Sequence, residues 1–478
     1  MALNAPPPEV PPPAGPAGAL HALPATALAP LYRRGALSPV AVAQAVIERV
    51  QALEPQLHAT WAFDAEAALV MARASEARWR QGQPLGPLDG VPVTLKENIA
   101  TRGLPVPLGT AVTELRPAEA DAPPAARLRE AGAVFIARTT MPDWGMLSSG
   151  LSSFHALARN PWRVDCNPGG SSAGAAAAAA AGYGPLHLGT DIGGSIRLPA
   201  SWCGVVGFKP SLGRIPISPP YAGRVAGPLA RTVADCALAM TVLVRPDWRD
   251  AMSLPFLDQP WTDLDGPALR GLRIGLWLAP GWGDALAPAV QDAVQDAALR
   301  FEAAGAQIVP VPPFMDRAMI DGLDHFWRMR SWLDYRRLPP ARQALLLPYI
   351  RQWIARGEQL SGPEVFEGYS QIGRLRDAAV AACQGLDYLL SPVSPDVAFG
   401  AELASPRNDP ERPFEHIAYT VPWNMSEQPA ITLPTGRLHQ GLPIGLQLVG
   451  QRHDDLGLLR LARRWEELRP ALPPWPLP

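Results

Sequence analysis

No stretch of the chain is long, apolar and uncharged enough to span a bilayer, since none reaches the roughly 18 residues such a helix needs. Cysteine is scarce: four in 478 residues, Cys166, Cys203, Cys236 and Cys383. These are too few and too scattered for a disulfide framework, and no CxxC pair occurs, so a reducing cytoplasm is the expected setting. An excess of one charge is also missing, with 42 basic residues against 44 acidic. That balance gives no electrostatic footprint for nucleic acid or for an anionic membrane surface, and neither is an expected partner. HExxH, a zinc-spaced His or Cys cluster, a P-loop and a dinucleotide glycine fingerprint are absent as well. No cofactor and no metal are expected.

Proline is plentiful instead, at 56 residues, and stiffens the loops that carry it. Residues 1–17 are proline-rich with no hydrophobic period and read as a disordered tail without the features of a signal peptide. The remaining chain, 18–478, is long enough for one large domain, with no internal repeat.

Periodicity places the first elements. Ser38-Pro39 should cap and begin a helix carrying Val42, Val46, Val50 and Leu53, with Glu54-Pro55 ending it. A second helix should run from Asp64 to about Gln81, followed by a strand within Val91–Ile99. A helix at 123–131 then precedes a strand at 133–137. Further on, 227–243 reads as a turn entering an apolar helix, 244–267 as a connection, 272–278 as a strand and 287–304 as an amphipathic helix. This alternation argues for an α/β fold with a mostly parallel sheet. From about 313 to 384 the chain is helical and rich in aromatic residues, including Trp327 and Trp332. It returns to strands around LDYLLSPVSP, QPAITLPTG and LPIGLQLVG, and closes on a charged helix near 456–468.

The chemistry concentrates between Asn167 and Gly207. Two glycine–serine turns lie here, Gly169-Gly170-Ser171-Ser172 and Gly193-Gly194-Ser195, separated by the alanine run 175–181 and the strand 186–190. Glycine lets the backbone take positive φ and come close to another group, and serine adds an oxygen. A nucleophile at Ser195 would have its own oxyanion hole in the amides of Ile192, Gly193 and Gly194. Lys96 ends a strand made otherwise of Val, Pro, Thr and Leu. There it either snorkels to water or loses its charge through burial and becomes a base. The Ser171 hydroxyl, able to donate and accept at once, could relay a proton between them. His187 sits on the buried strand and reads as a satisfied core histidine, and Cys203 reads as core.

Four segments in this order, GVPVTLKENI (90–99), GGSSAG (169–174), GTDIGGSIRLPA (189–200) and CGVVGFKPSLGRI (203–215), resemble the amidase signature family. The similarity runs from about Leu31 to the C-terminal helix and is weakest in the tail and from 244 to 385. The resemblance implies a large twisted mixed β-sheet covered by helices on both faces, with a helical aromatic-rich insert. It implies a Ser–cisSer–Lys triad: Ser195 as nucleophile, Ser171 as bridge after a cis Gly170–Ser171 peptide, and Lys96 as base. Ser172 becomes a supporting hydrogen-bond partner, and Asp191 with Arg197 a pair fixing the loop. Ala173 departs from the glycine many members have there.

The activity implied is hydrolysis of a carbon–nitrogen bond in a small amide-type substrate, by a monomer or homodimer. The aromatic insert, with Trp144, Met146, Phe154, Trp327 and Trp332 as candidate pocket residues, favours a hydrophobic or aryl amide, anilide or carbamate (urethane). The alternatives are the glutamine-hydrolysing subunit of a tRNA amidotransferase, or a catalytically silent binding protein on the same fold.

Overall fold

Ser38 caps its helix as its sequence demands: its Oγ accepts the N–H groups of Val40 (3.0 Å) and Ala41 (3.4 Å), and Pro39 fills the first position. That helix, Pro39–Leu57, runs through Pro55 and stops in the left-handed residue His58 (φ 48°). A proline in the last turn removes only one hydrogen bond, so it does not end the helix. Asp64 caps the next helix, Ala65–Arg80, by accepting the Ala67 N–H at 3.0 Å. The structure is a computed structural model and describes residues 19–266 and 268–476, so the expected tail at 1–17 lies outside the described residues.

Eleven strands form one sheet: β1 (Thr60–Trp61), β2 (Pro92–Lys96), β3 (Val134–Thr139), β4 (Leu186–Asp191), β5 (Val206–Lys209), β6 (Val225–Ala230), β7 (Arg273–Leu276), β8 (Gln307–Pro310), β9 (Tyr388–Pro392), β10 (Ala430–His439) and β11 (Leu442–Val449). Their spatial order is β1-β3-β2-β4-β6-β5-β10-β11-β9-β7-β8. The sheet is mixed rather than mostly parallel. β2 pairs parallel with β3 and β4, and β7 with β8 and β9, whereas every pairing from β4 through β6, β5, β10 and β11 to β9 is antiparallel. The expectation failed at β6, taken for a turn because of Gly227-Pro228. A Cβ at Gly227 would stand 2.1 Å from the Phe208 carbonyl oxygen, so the strand needs glycine there to approach β5.

Helices cover both faces. Tyr388 and Leu390 of β9 pack into one apolar cluster with Leu446, Leu448 and Trp465, while Leu389 between them packs into another with Trp277, Trp353 and Trp423. That is the two-residue alternation of a sheet buried on both sides. The Ala173–Ala181 helix is buried along its whole length. Alanine suits it twice over, through helix propensity and through a side chain small enough for close packing all round. The aromatic-rich helices Arg317–Tyr335, Pro348–Ala355 and Gly362–Ala382 pack over the second cluster. Not all of their aromatic residues are core, since Phe366 is 73% exposed and Tyr369 51%.

Candidate active site

β2 and β4 run parallel as neighbours, with Leu95 beside Leu188. Lys96, the last residue of β2, and Thr190, next to last in β4, therefore meet at the same sheet edge. The helix that starts at Ala173 brings Ser171 and Ser172 to that edge, and the Gly170–Ser171 peptide is cis. Lys96 is fully buried, with Nζ 2.7 Å from Ser171 Oγ, 3.1 Å from Thr190 Oγ1 and 3.2 Å from Ser172 Oγ.

Proton accounting tells these three hydroxyls apart. Ser172 uses its own proton on the Thr190 carbonyl (3.1 Å), which leaves its oxygen to accept from Lys96. Thr190 Oγ1 already accepts from Asn98 Nδ2 (3.0 Å) and can accept from Lys96 too. A neutral amine has two N–H bonds and one lone pair. A neutral amine that gives both N–H groups to Ser172 and Thr190 turns its lone pair to the Ser171 hydroxyl, whereas a charged one donates to all three.

The surroundings favour the neutral amine. Burial pushes the Lys96 pKa well below that of a free lysine, and the Arg224 charge lowers it further, against weaker opposition from Asp191 and Glu97. Among the described residues no carboxylate pairs with Lys96. Adjacent Glu97 is held elsewhere, 2.7 Å from His155 Nε2 and accepting the Gly109 N–H at 2.6 Å. Lys209, also fully buried and lowered to about 7 by burial, offers a contrast. Its ammonium donates to the carbonyls of Gln428 (2.5 Å) and Pro210 (3.1 Å), which have no proton to give back.

The loop after β4 is fixed by buried polar groups. Asp191 and Arg197 meet at 3.0 Å in both of their hydrogen bonds. Burial alone would raise the Asp191 pKa, but Arg197, Lys209 and Asn424 together hold it below the usual carboxylate range. Arg197 also donates to Gln447 Oε1 (2.8 Å), the Thr420 carbonyl (2.8 Å) and Asn424 Oδ1 (2.6 Å). Thr420 Oγ1 in turn donates to the Gly193 carbonyl at 2.6 Å. The Gly194 N–H points inward to Asp191 Oδ1 at 2.8 Å, which corrects its expected place in an oxyanion hole. The amides of Gly193 and Ser195 have no such partner among the described residues. The Ser195 carbonyl accepts from the Ser172 N–H at 3.1 Å, which ties the two glycine–serine turns together.

A cavity of about 690 Å³ opens over Ser171, Thr190, Ile192 and Ser195. Trp144 and Met146 line it, together with Leu108, Tyr221, Arg224 and Arg330. A smaller chamber of about 40 Å³, also bordered by Ser195, is walled by Met146, Trp327 and Phe414. Two expected pocket residues line neither chamber. The Phe154 ring packs on Trp61 (6.1 Å) and His155 (4.8 Å), and Trp332 packs on Tyr335 (5.7 Å). His187 is a satisfied core histidine, 2.9 Å from Thr94 Oγ1 and 3.0 Å from the Gly184 carbonyl, lowered to about 3 by burial. Cys203 is buried, and its thiol is pushed far up by burial.

Sequence reasoning missed Asn98 and Thr190, although both lie inside the motifs it quoted. It also missed Gln447, which lies inside the quoted LPIGLQLVG stretch, and Thr420, Asn424, Tyr221, Arg224 and Arg330, which the fold brings in from outside those stretches. Among the described residues no group of acidic, His and Cys side chains could hold a metal ion, and no helix is long and apolar enough to cross a membrane.

The comparisons with known proteins agree with this geometry. A family model described as Amidase matches residues 41–459. The chain is similar to an acylamidase of Rhodococcus erythropolis, 33% identical over 462 residues and covering 94% of this chain and 96% of the relative. It is equally similar to a glutamyl-tRNA(Gln) amidotransferase subunit of Chloroflexus aggregans, 33% identical over 481 residues with coverage of 94% and 97%. Among solved structures, a bacterial aryl acylamidase of the amidase signature enzymes superposes with a TM-score of 0.85 at 28% identity, over 93% of this chain and 96% of its own.

Proposed function

The chain belongs to the amidase signature family and is a hydrolase of amide bonds; we propose that it works through an acyl-enzyme on Ser195, with a hydrophobic or aryl amide, anilide or carbamate as substrate. The observation that carries the mechanism is the buried Lys96 amine 2.7 Å from Ser171 Oγ. Lys96 takes the Ser171 proton as Ser171 takes that of Ser195, whose oxygen attacks the carbonyl carbon. The amides of Gly193 and Ser195, with Ile192 beside them, receive the developing oxyanion. The proton then returns through Ser171 to the leaving nitrogen, the C–N bond breaks, and water hydrolyses the acyl-enzyme by the same route. Protonating a poor amine leaving group is the demanding step, and an amine poised to exchange its proton suits it.

The substrate class rests on the walls beside Ser195. Trp144, Met146 and Leu108 line the large chamber, and Trp327 and Phe414 the small one. Identity does not separate the acylamidase from the amidotransferase relative, at 33% in each case. The apolar walls favour the free-standing amidase acting on a substrate larger and less polar than glutamine.

Hydrolysis of a p-nitroanilide, a simple aliphatic amide, an aryl carbamate and glutamine tests the reading. The anilide or carbamate should have the highest kcat/KM, and Ser195→Ala should abolish turnover. A preference for glutamine, or for small polar amides, would contradict the substrate class.

A further inference from the structure

Three arginines line the cavity wall, Arg224, Arg330 and Arg342, of which Arg342 pairs with Glu114 and Arg224 enters the chemistry above only through its charge. Arg224 and Arg330 both line the large chamber, and Arg330 borders the small one as well, in each case with Ser195. The carboxylates of the same wall are already engaged. Asp191 is held by Arg197, Glu114 by Arg116 (2.5 Å) and Arg342 (3.5 Å), and Asp334 pairs with Arg337 (3.7 Å). Asp334 lies one helical turn from Arg330, where an ion pair is easily made, yet it does not pair with it. Arg330 contacts Met146 Sδ at 3.2 Å and lies over the face of Tyr221, 5.0 Å from the guanidinium carbon to the ring centre. Phe326 stacks with the same tyrosine at 6.4 Å, which steadies that platform. Arg224 donates to the Pro219 carbonyl at 3.2 Å, and among the described residues neither arginine has a carboxylate within 4.0 Å. Burial first, and then the charge of Arg330, lower the pKa of Arg224.

We infer that Arg224 and Arg330 form an anion subsite, and that the substrate is an amide carrying a carboxylate on its non-reacting arm. Two like charges beside a partly dry cavity repel each other and have lost part of their hydration. A carboxylate between them removes both costs, and the planar guanidinium fork suits carboxylate geometry. The apolar wall of Trp144 and Met146 takes the body of the molecule, the arginines take its charged end, and Ser195 stands at the amide. This inference rests on the amidase reading and narrows it from hydrophobic amides to amphiphilic ones.

The test pairs substrates that differ only in charge: glutaric monoanilide against valeranilide, for a carboxylate on the acyl arm, and 4-acetamidobenzoate against acetanilide, for one on the amine arm. At least one carboxylate should be preferred in kcat/KM over its neutral partner. That preference should shrink by about tenfold or more in Arg330→Gln and in Arg224→Gln, the scale of a hydrogen bond to a charged group. Arg330→Lys should retain part of it, and thermal unfolding verifies that each variant is folded. Calorimetric binding of the same four compounds to Ser195→Ala protein separates the two readings. If the parent enzyme hydrolyses none of the four while Ser195→Ala binds a carboxylate in an arginine-dependent way, the anion subsite stands and the amidase chemistry falls. If the neutral amides are hydrolysed and bound as well as the carboxylates, and the arginine variants leave that ratio unchanged, the subsite falls and the amidase chemistry stands.

Discussion

Lys96 Nζ and Ser171 Oγ stand 2.7 Å apart in a buried cluster of hydroxyls beneath the cavity. No carboxylate among the described residues pairs with this lysine, and the neighbouring Glu97 is turned away to His155 and Gly109. In the proposed mechanism the pair acts as one proton-transfer unit. Lys96→Met and Ser171→Ala should each lower kcat by about 10²–10⁴-fold, the range of general acid–base catalysis. Groups that act as a unit are not additive. The double variant, measured by steady-state kinetics, should be no slower than the slower single one, and losses that multiply would mean independent roles.

The acid limb of the activity profile should follow loss of the Lys96 proton. Burial and the Arg224 charge both favour the neutral amine, so activity should rise with pH through a midpoint below the free-lysine value of 10.5. Removing a nearby cation makes protonation easier, which raises the lysine pKa. Arg224→Gln should therefore move the acid limb of kcat/KM for a neutral anilide to higher pH. A pH–rate series on both proteins gives the answer, and a shift to lower pH would contradict the assignment.

Asp191 and Arg197, both fully buried, hold the loop that carries Ser195. Asp191→Asn keeps the shape and leaves Arg197 without its counter-charge. Breaking a buried pair in this way costs about 3–5 kcal/mol. Urea unfolding should show a loss of that size, and Asn424→Ala, which removes hydrogen bonds to the pair but leaves both charges matched, should lose less. Equal losses would mean that the charge pair is not what holds the loop.

Gly174 interrupts a run of alanines in a buried helix, and by propensity alone Gly174→Ala should stabilise by roughly 1 kcal/mol. The packing says otherwise. A Cβ there would stand 2.0 Å from the Ala59 carbonyl oxygen and 2.5 Å from the Thr140 amide nitrogen, both backbone atoms. Overpacking of this kind costs about 1–3 kcal/mol, so the melting temperature should fall. A rise would show that the Ala59–Thr140 backbone can yield.

What the sequence made legible follows from how local each signal is. Ser38 and Asp64 lie next to the helices they cap, and Lys96, Ser171 and Ser195 lie inside short motifs, so one stretch of chain carried each reading. β6 was hidden because Gly227 and Pro228 look like a turn when the crowding by Phe208 that demands the glycine cannot be seen. Only the family resemblance carried the mixed sheet; periodicity did not, since alternating strands and helices do not reveal that β10 and β11 form a hairpin between β5 and β9. The same limit applies to the site. Asn424 and Gln447 reach Arg197 from more than 200 positions away, and Arg224 and Arg330 meet at the cavity only through the tertiary fold. Phe154 misled because an aromatic residue near the motifs looks the same whether it faces the cavity or packs on Trp61.

The most direct test is the rate at which a fluorophosphonate labels the protein across pH, with the adduct located by peptide mass mapping. A single adduct on Ser195 is predicted, forming faster as pH rises, with that dependence and most of the rate lost in Lys96→Met. An adduct on another residue, or labelling of Lys96→Met at the parent rate, would contradict the account.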